Sequence, residues 1–279
     1  MKSLAPESGS CGVLYFAIGA RYAHEAEQSA ASIRRFMPDL PITIICDHTV
    51  DPKLFDNILE PPAGIPLKRH KMAALKSSPY ERTLYLDTDT VLLSPVWEIF
   101  RLLDTFDIAM TLAPGHTVSI DSDLASDLER DDPPQCYPTW NGGVIVYRKG
   151  PAWTDFIEEW DRLYQSMGRM PDQTSLRVAA FRSEAKIAPM PNSYNYRLNY
   201  PGALRGAVKI LHGREPDIGI MRRKVNRVMK MRATLPPRYA RSMIVYGDVR
   251  LVGVVRKRLR NFWWNHLSPR RNRKSKAMT

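Results

Sequence analysis

Apolar positions in this chain come in short blocks separated by polar, turn-forming residues. Val13–Ile18, Ile42–Cys46, Thr83–Leu86, Ile108–Leu112, Val144–Tyr147 and Ala207–Leu211 are runs of the length and composition of strands buried on both faces. The segments between them carry helical patterns. His24–Phe36 is rich in Ala and Glu, and Leu67–Ser77 leads into the third strand. Val96–Leu103 places Trp97, Phe100 and Leu103 at helical spacing. Ala152–Met167 lines Trp153, Phe156, Ile157, Trp160 and Tyr164 along one face, and a further helix starts near Asp172. The first strand, the first helix and the second strand make a β-α-β unit, with Gly19-Ala20-Arg21-Tyr22 as the turn, which predicts a parallel sheet. Asn141-Gly142-Gly143 reads as the turn that introduces the strand at Val144. Residues 114–139 are polar and acidic and read as a long loop, either a functional lid or a solvated face. Residues 1–10 read as disordered, and beyond residue 220 the pattern loosens, apart from a basic amphipathic stretch at Val252–Leu267.

The predicted architecture is therefore α/β, a mainly parallel sheet flanked by helices. Residues 11–220 form the folded domain and 221–279 a C-terminal extension. A length of 279 residues suits one large domain with an appendage. No apolar run approaches the roughly 18–20 residues needed to cross a bilayer, and the short Val13–Ala20 run lacks the flanks of a signal peptide. Cys11, Cys46 and Cys136 have neither metal-ligand nor disulfide spacing, which implies a reducing, cytoplasmic setting.

Charge changes this picture. The formal net charge of +12 is unevenly spread. Residues 221–279 hold 18 Lys and Arg against the single acid Asp248; residues 1–220 keep 23 of the 41 basic and 28 of the 29 acidic residues. A mildly acidic domain thus carries a strongly basic tail, suited to an anionic partner. Arg256-Lys257-Arg258-Leu259-Arg260-Asn261-Phe262-Trp263-Trp264 mixes cations with interfacial aromatics, as a peripheral segment on the inner face of a membrane would. A solvated basic extension accounts for the same composition.

The candidate chemistry begins where Thr83–Leu86 stops at Asp87-Thr88-Asp89 before apolar residues resume. An unpartnered carboxylate is costly inside an apolar core. The pair therefore belongs at the carboxyl end of its strand, where open α/β sheets bind ligands. Two hard oxygen donors suit Mn²⁺ or Mg²⁺ held against substrate phosphates. Capping of the helix near Trp97 is the plainer alternative. Four further groups fall at strand ends or turns: Ala17, Gly19 and Tyr22 after the first strand; Lys71 in the helix before the Asp pair; Asn141-Gly142 with Asp172-Gln173; and His212, able to complete a metal site made of two carboxylates.

Taken in order, Lys71, then Ser78-Pro79-Tyr80-Glu81-Arg82-Thr83-Leu84-Tyr85-Leu86-Asp87-Thr88-Asp89-Thr90, Asn141-Gly142-Gly143-Val144, Asp172-Gln173-Thr174 and Leu211-His212-Gly213 resemble the GT-A fold nucleotide-diphospho-sugar glycosyltransferases, nearest the glycogenin-like and galactosyltransferase-like retaining group. The resemblance covers residues 12–215 and implies roles. Asp87, Asp89 and His212 would hold Mn²⁺ or Mg²⁺ against a donor diphosphate. Ala17, Gly19 and Tyr22 would contact the nucleoside, expected to be uridine, with Thr88 and Lys71 also on the donor. Asn141, Gly142, Asp172 and Gln173 would orient the sugars, and Asp172 and Gln173 are the candidate catalytic side chains. Where the family places a Gly and a Lys after the histidine, this chain has His212-Gly213-Arg214, so Arg214 would take the cationic role. The acceptor would be a glycan, a lipid-linked sugar or a protein.

Two rival classes fit less of the sequence. A sugar-phosphate nucleotidylyltransferase needs a Gly-rich basic loop after the first strand, and Gly19-Ala20-Arg21-Tyr22-Ala23-His24 is a poor match. A nucleic-acid-binding protein acting through the tail would leave the Asp pair and His212 without a purpose.

Overall fold

The computed structural model describes residues 10–63, 70–113, 133–134, 136–166, 172–197 and 207–213. Ten strands and four α-helices follow in the order β1 (Cys11–Ala17), α1 (Ala20–Phe36), β2 (Ile42–Cys46), β3 (Asn57–Leu59), α2 (His70–Lys76), β4 (Arg82–Leu86), β5 (Thr90–Leu92), β6 (Ile108–Leu112), β7 (Trp140–Arg148), α3 (Pro151–Ser166), α4 (Asp172–Arg182), β8 (Ile187–Met190), β9 (Tyr196–Arg197) and β10 (Ile210–His212). The acidic segment 114–132, Arg214 and the basic extension lie outside the described residues. Among the described residues, no helix is long and apolar enough to cross a membrane.

Seven strands make the main sheet in the order β3-β2-β1-β4-β7-β6-β8. All run parallel except β7, which is antiparallel to both β4 and β6. The expected mainly parallel α/β sheet is thus present. Alternate residues of each strand feed opposite faces, as the two-residue period of a strand requires. Val13, Tyr15, Ile42, Ile44, Leu84 and Leu86 join the core beneath α1. Leu14, Ile45 and Tyr85 join the second core, beneath α2, α3 and α4. Tyr147, Trp153 and Phe156 stack within that second core, the first pair with ring centroids 3.8 Å apart. A small sheet, β5-β10-β9, sits over a third cluster of Val91, Tyr196, Val208 and Leu211.

Several local expectations are corrected. The turn after β1 is two residues, Ile18 and Gly19: Gly19, at φ +93°, is the cap, and the helix runs from Ala20 rather than His24. Gly19 itself offers no side chain to the helix start; instead its N–H donates to Asp47 Oδ1 at 2.7 Å, from the end of β2. Trp97–Asp104 is a 3₁₀ helix, in keeping with the three-residue spacing of Trp97, Phe100 and Leu103. Asn141-Gly142-Gly143 is not a turn before β7 but lies within it. Because β7 is antiparallel, its first residues reach the edge of the sheet where β1, β4 and β6 end. That edge is the one at which an α/β sheet binds ligands.

Candidate metal and donor site

Asp87 follows β4 directly, and Asp89 immediately precedes β5. The Asp87 N–H donates to Gly143 O at 2.8 Å, which ties the turn to β7. Below, the Thr90 hydroxyl donates to Asp87 O at 2.8 Å and pairs with Ser29 Oγ at 3.0 Å, with Tyr15 Oη 2.8 Å beyond. This buried chain of hydroxyls pins the turn to α1. The Asp87 carbonyl is doubly satisfied there, by the Thr90 N–H at 3.2 Å and the Thr90 hydroxyl at 2.8 Å.

His212 reaches the same place from 123 residues beyond Asp89, at the end of β10, which pairs antiparallel with β5. Its Nε2 lies 3.3 Å from Asp89 Oδ1 and 3.9 Å from Asp87 Oδ2. Ligand atoms of Asp87, Asp89 and His212 all lie within 4.8 Å of one another, the only such metal-capable group among the described residues. The site has room because residue 143 is glycine. A Cβ there would stand 2.8 Å from Asp87 Oδ2 and 2.9 Å from His212 Nδ1, closer than real Cβ atoms come, and would overlap the ring at Cε1. Two carboxylate oxygens and an imidazole nitrogen form a donor set that Mn²⁺ takes readily and Mg²⁺ accepts through its oxygens. The residues present therefore fit a divalent cation.

Lys71, in the first turn of α2, stands beside this cluster. Its ammonium donates to Asp87 Oδ1 at 3.3 Å, Gly142 O at 3.1 Å and Asp172 Oδ2 at 3.3 Å. Three acceptors match the three hydrogens of an ammonium, and all three contacts are at the long end of the normal range, so one can be exchanged for a ligand oxygen. The aromatic faces of Tyr85 and Trp160 lie 5.1 and 6.0 Å from Nζ. Burial pulls the Lys71 pKa down, but the carboxylates of Asp87 and Asp172 outweigh it and hold the group well above its ordinary value. Lys71 is a permanent cation here. Tyr85 donates its hydroxyl to Asp87 Oδ1 at 2.9 Å; burial and the neighbouring carboxylate push its pKa well up, so it remains a donor.

The structure thus brings Lys71, Asp87, Asp89, Gly142, Asp172 and His212 together. Asp172 opens α4, and its carboxylate is turned to Lys71. Its backbone carbonyl is fixed by Trp160 Nε1 at 3.1 Å and the Ser175 hydroxyl at 2.9 Å. Gln173, half-buried, is the next residue of the same helix. Asn141 is buried in β7, and its Oδ1 accepts the Gly143 N–H at 3.0 Å. Thr88 is buried beneath the turn, and its hydroxyl donates to Glu25 Oε2 of α1 at 3.0 Å. Ala17 ends β1 with its side chain buried, so only its backbone is available to a ligand. Tyr22 is exposed on the first turn of α1, near Gly19.

Three residues were not singled out in the sequence. Asp47 directly follows β2; the Gly19 N–H, with His48 at 2.8 Å, holds its carboxyl below the usual range. An acid just beyond the second strand of a β-α-β unit was the available signal. Tyr85 was hidden as one more apolar strand residue. Asn195, whose side chain meets His212, follows the short 3₁₀ turn Asn192–Tyr194 and carries no motif at all.

No protein-family model and no curated protein matches the sequence. Solved structures do match. The glycosyltransferase GlyE of Streptococcus pneumoniae TIGR4 superposes with a TM-score of 0.55 at 14% identity, over 76% of this chain and 56% of that one. The galactosyltransferase LgtC, solved in complex with donor and acceptor sugar analogs, gives 0.51 at 16% identity over 83% and 100%. The bifunctional glycosyltransferase WbbM gives 0.52 at 12% over 76% and 47%. The chain therefore spans about half of GlyE and of WbbM and the full length of LgtC. Identities this low speak to architecture alone. This chain has the GT-A fold, the fold of nucleotide-diphospho-sugar glycosyltransferases.

Proposed function

We propose that the protein is a metal-dependent glycosyltransferase that moves a sugar from a nucleotide-diphospho-sugar, a UDP-sugar, to a glycan, lipid-linked or protein acceptor. The observation that carries this reading is the placement of one permanent cation, Lys71, between Asp87 of the metal cluster and Asp172 of α4. A diphosphate held beside the aspartates would meet that positive charge, which supports the reading.

A divalent cation bound by Asp87, Asp89 and His212 would supply Lewis-acid stabilisation of the negative charge that grows on the departing diphosphate. The chain's own residues do the rest. Lys71 exchanges one of its three acceptors for a donor oxygen and adds a fixed positive charge in a partly desolvated setting, where such charges stabilise most. Asp172 and Gln173, held at the start of α4, accept and donate hydrogen bonds to sugar hydroxyls and fix the anomeric carbon against the acceptor. Gly142 and Gly143 let the donor approach the β7 backbone. Ala17, through its backbone, Gly19 and Tyr22 form the nucleoside end of the crevice, with Thr88 and Asn141 supporting the donor from below. Arg214 adds a second cation next to Gly213. The reading includes retention at the anomeric centre, with the leaving phosphate taking the proton of the acceptor hydroxyl.

Calorimetric titration of UDP with and without Mn²⁺, repeated on Asp89→Asn, tests the site. Binding that requires both the metal and Asp89 is expected; equal binding by the variant would remove Asp89 from the site. We also propose that the basic extension holds the enzyme on an anionic membrane surface, where each cation contributes about 1 kcal/mol. Deleting residues 250–279 should release the protein from anionic vesicles, and retention would count against that docking.

A further inference from the structure

The orientation of His212 is set through its far ring nitrogen, Nδ1. Asn195 and Asn141 are both buried. His212 Nδ1 lies 2.7 Å from Asn195 Oδ1, Asn195 Nδ2 lies 2.7 Å from Asn141 Oδ1, and the Gly143 N–H points to that same Asn141 oxygen at 3.0 Å. The chain of donors and acceptors has one consistent solution. A backbone N–H can only donate, so the Asn141 atom facing Gly143 must be the carbonyl oxygen. The Asn195 atom that meets this oxygen must then be the amide nitrogen, which leaves the Asn195 carbonyl facing His212. Only an Nδ1–H can satisfy that carbonyl. The lone pair of the neutral ring is therefore on Nε2, the nitrogen aimed at Asp87 and Asp89.

We propose that Asn195, backed by Asn141 and the Gly143 amide, is the positioning residue that sets His212 in its metal-binding tautomer and so gives the site its preference for Mn²⁺ over Mg²⁺. The inference rests on the reading of Asp87, Asp89 and His212 as a metal site. Partners on the far ring nitrogen fix both ring orientation and tautomer in histidine ligands, and their loss typically weakens metal binding about 10–100-fold. The preference follows from ligand chemistry. Mn²⁺, a transition-metal ion, accepts an imidazole nitrogen more readily than Mg²⁺, which gives up its waters reluctantly and is held mainly by carboxylate and phosphate oxygens. When Asn195 no longer holds the ring, the two aspartates remain and the nitrogen is lost.

The test measures Mn²⁺ and Mg²⁺ affinity on the full chain by calorimetry, for the wild type, Asn195→Leu, His212→Ala and the double variant. Asn195→Leu should weaken Mn²⁺ binding about 10–100-fold and Mg²⁺ binding far less. In the His212→Ala background it should have no further effect, since the interaction it removes is already gone. An equal loss for both metals, or the same loss with His212 absent, would mean general damage to the site and would overturn the proposal. Unchanged Mn²⁺ affinity in Asn195→Leu would overturn it too. A wild type that binds neither cation would take the metal-site reading down with it, which separates the two failures. Imidazole ¹⁵N shifts of His212 in the metal-free wild type, recorded well above the ordinary histidine range, provide a reading that no substitution can confound. A protonated Nδ1 with a bare Nε2 is expected, and the reverse tautomer would refute the assignment.

Discussion

The candidate metal cluster has two halves built in different ways. The aspartate half lies on one short stretch of chain. Asp87 and Asp89 are two residues apart on one turn, held by the Gly143 carbonyl above and the Thr90–Ser29–Tyr15 hydroxyls below. The histidine half is assembled from afar. His212 depends on Asn195, which depends on Asn141, and the strand that carries His212 is held in place by β5 and β9. Ahead of that strand, Lys209 pairs with Glu98 of the 3₁₀ helix, and Tyr194 donates to the same carboxylate. A turn between two paired strands is rigid because its own backbone is paired. A histidine at the end of a three-residue strand borrows its rigidity from side chains 17 to 114 positions away.

The largest effect should come from the point where the halves touch. Gly143→Val places a branched side chain against His212 and Asp87 in a core-like setting, where overpacking costs about 1–3 kcal/mol. Mn²⁺ binding should be lost altogether while far-UV circular dichroism is kept. Binding within a few-fold of the wild type would show that the halves can separate without consequence.

Lys71→Met tests the aspartate half next. It leaves Asp87 and Asp172 without their common cation and removes a fixed charge from the donor site. Turnover should fall about 10²–10³-fold, the size expected for losing one preorganised charge contact. Steady-state kinetics with a UDP-sugar would measure it, and a loss below tenfold would move Lys71 out of the reaction.

Glu98→Gln probes the histidine half at its support and should have the smallest effect. Burial raises the Glu98 pKa, but hydrogen bonds from Lys209 and Tyr194 outweigh it and hold the value below the ordinary glutamate range. A group with a lowered folded-state pKa contributes stability above its unfolded pKa, and that contribution fades as pH falls through the folded value. The carboxylate is partly exposed, so solvent screens the pair. The variant should melt about 1–2 °C lower near neutrality, with the difference closing in acid. Thermal melts across pH would show it; a gap that widens in acid would reverse the sign.

The same contrast explains what could be read from the sequence. β1, β2, β4 and β6 are internal apolar runs and were legible, as were Asp87 and Asp89, because a carboxylate pair that interrupts such a run stands out against it. The edge strands were not. All three residues of β3 are exposed, and β8 contains Pro189, which a strand tolerates only where no ladder bond is needed. The helical reading of Trp97, Phe100 and Leu103 was right in kind and wrong in pitch. His212 could be suspected from its strand-end position, but Asn195 could not. Its importance exists only in the register that sets residues 141, 195 and 212 side by side.

The antiparallel course of β7 has a consequence for how the site comes into being. Its neighbours β4 and β6 precede it, so the Gly143 amide and Asn141 take their places only when a strand is laid between two others already present. β10 begins 62 positions beyond the end of β7. Contacts this distant in sequence form late, because their loops must close first. The candidate metal site is thus a property of the finished molecule: it needs His212 of β10 as well as the two aspartates between β4 and β5.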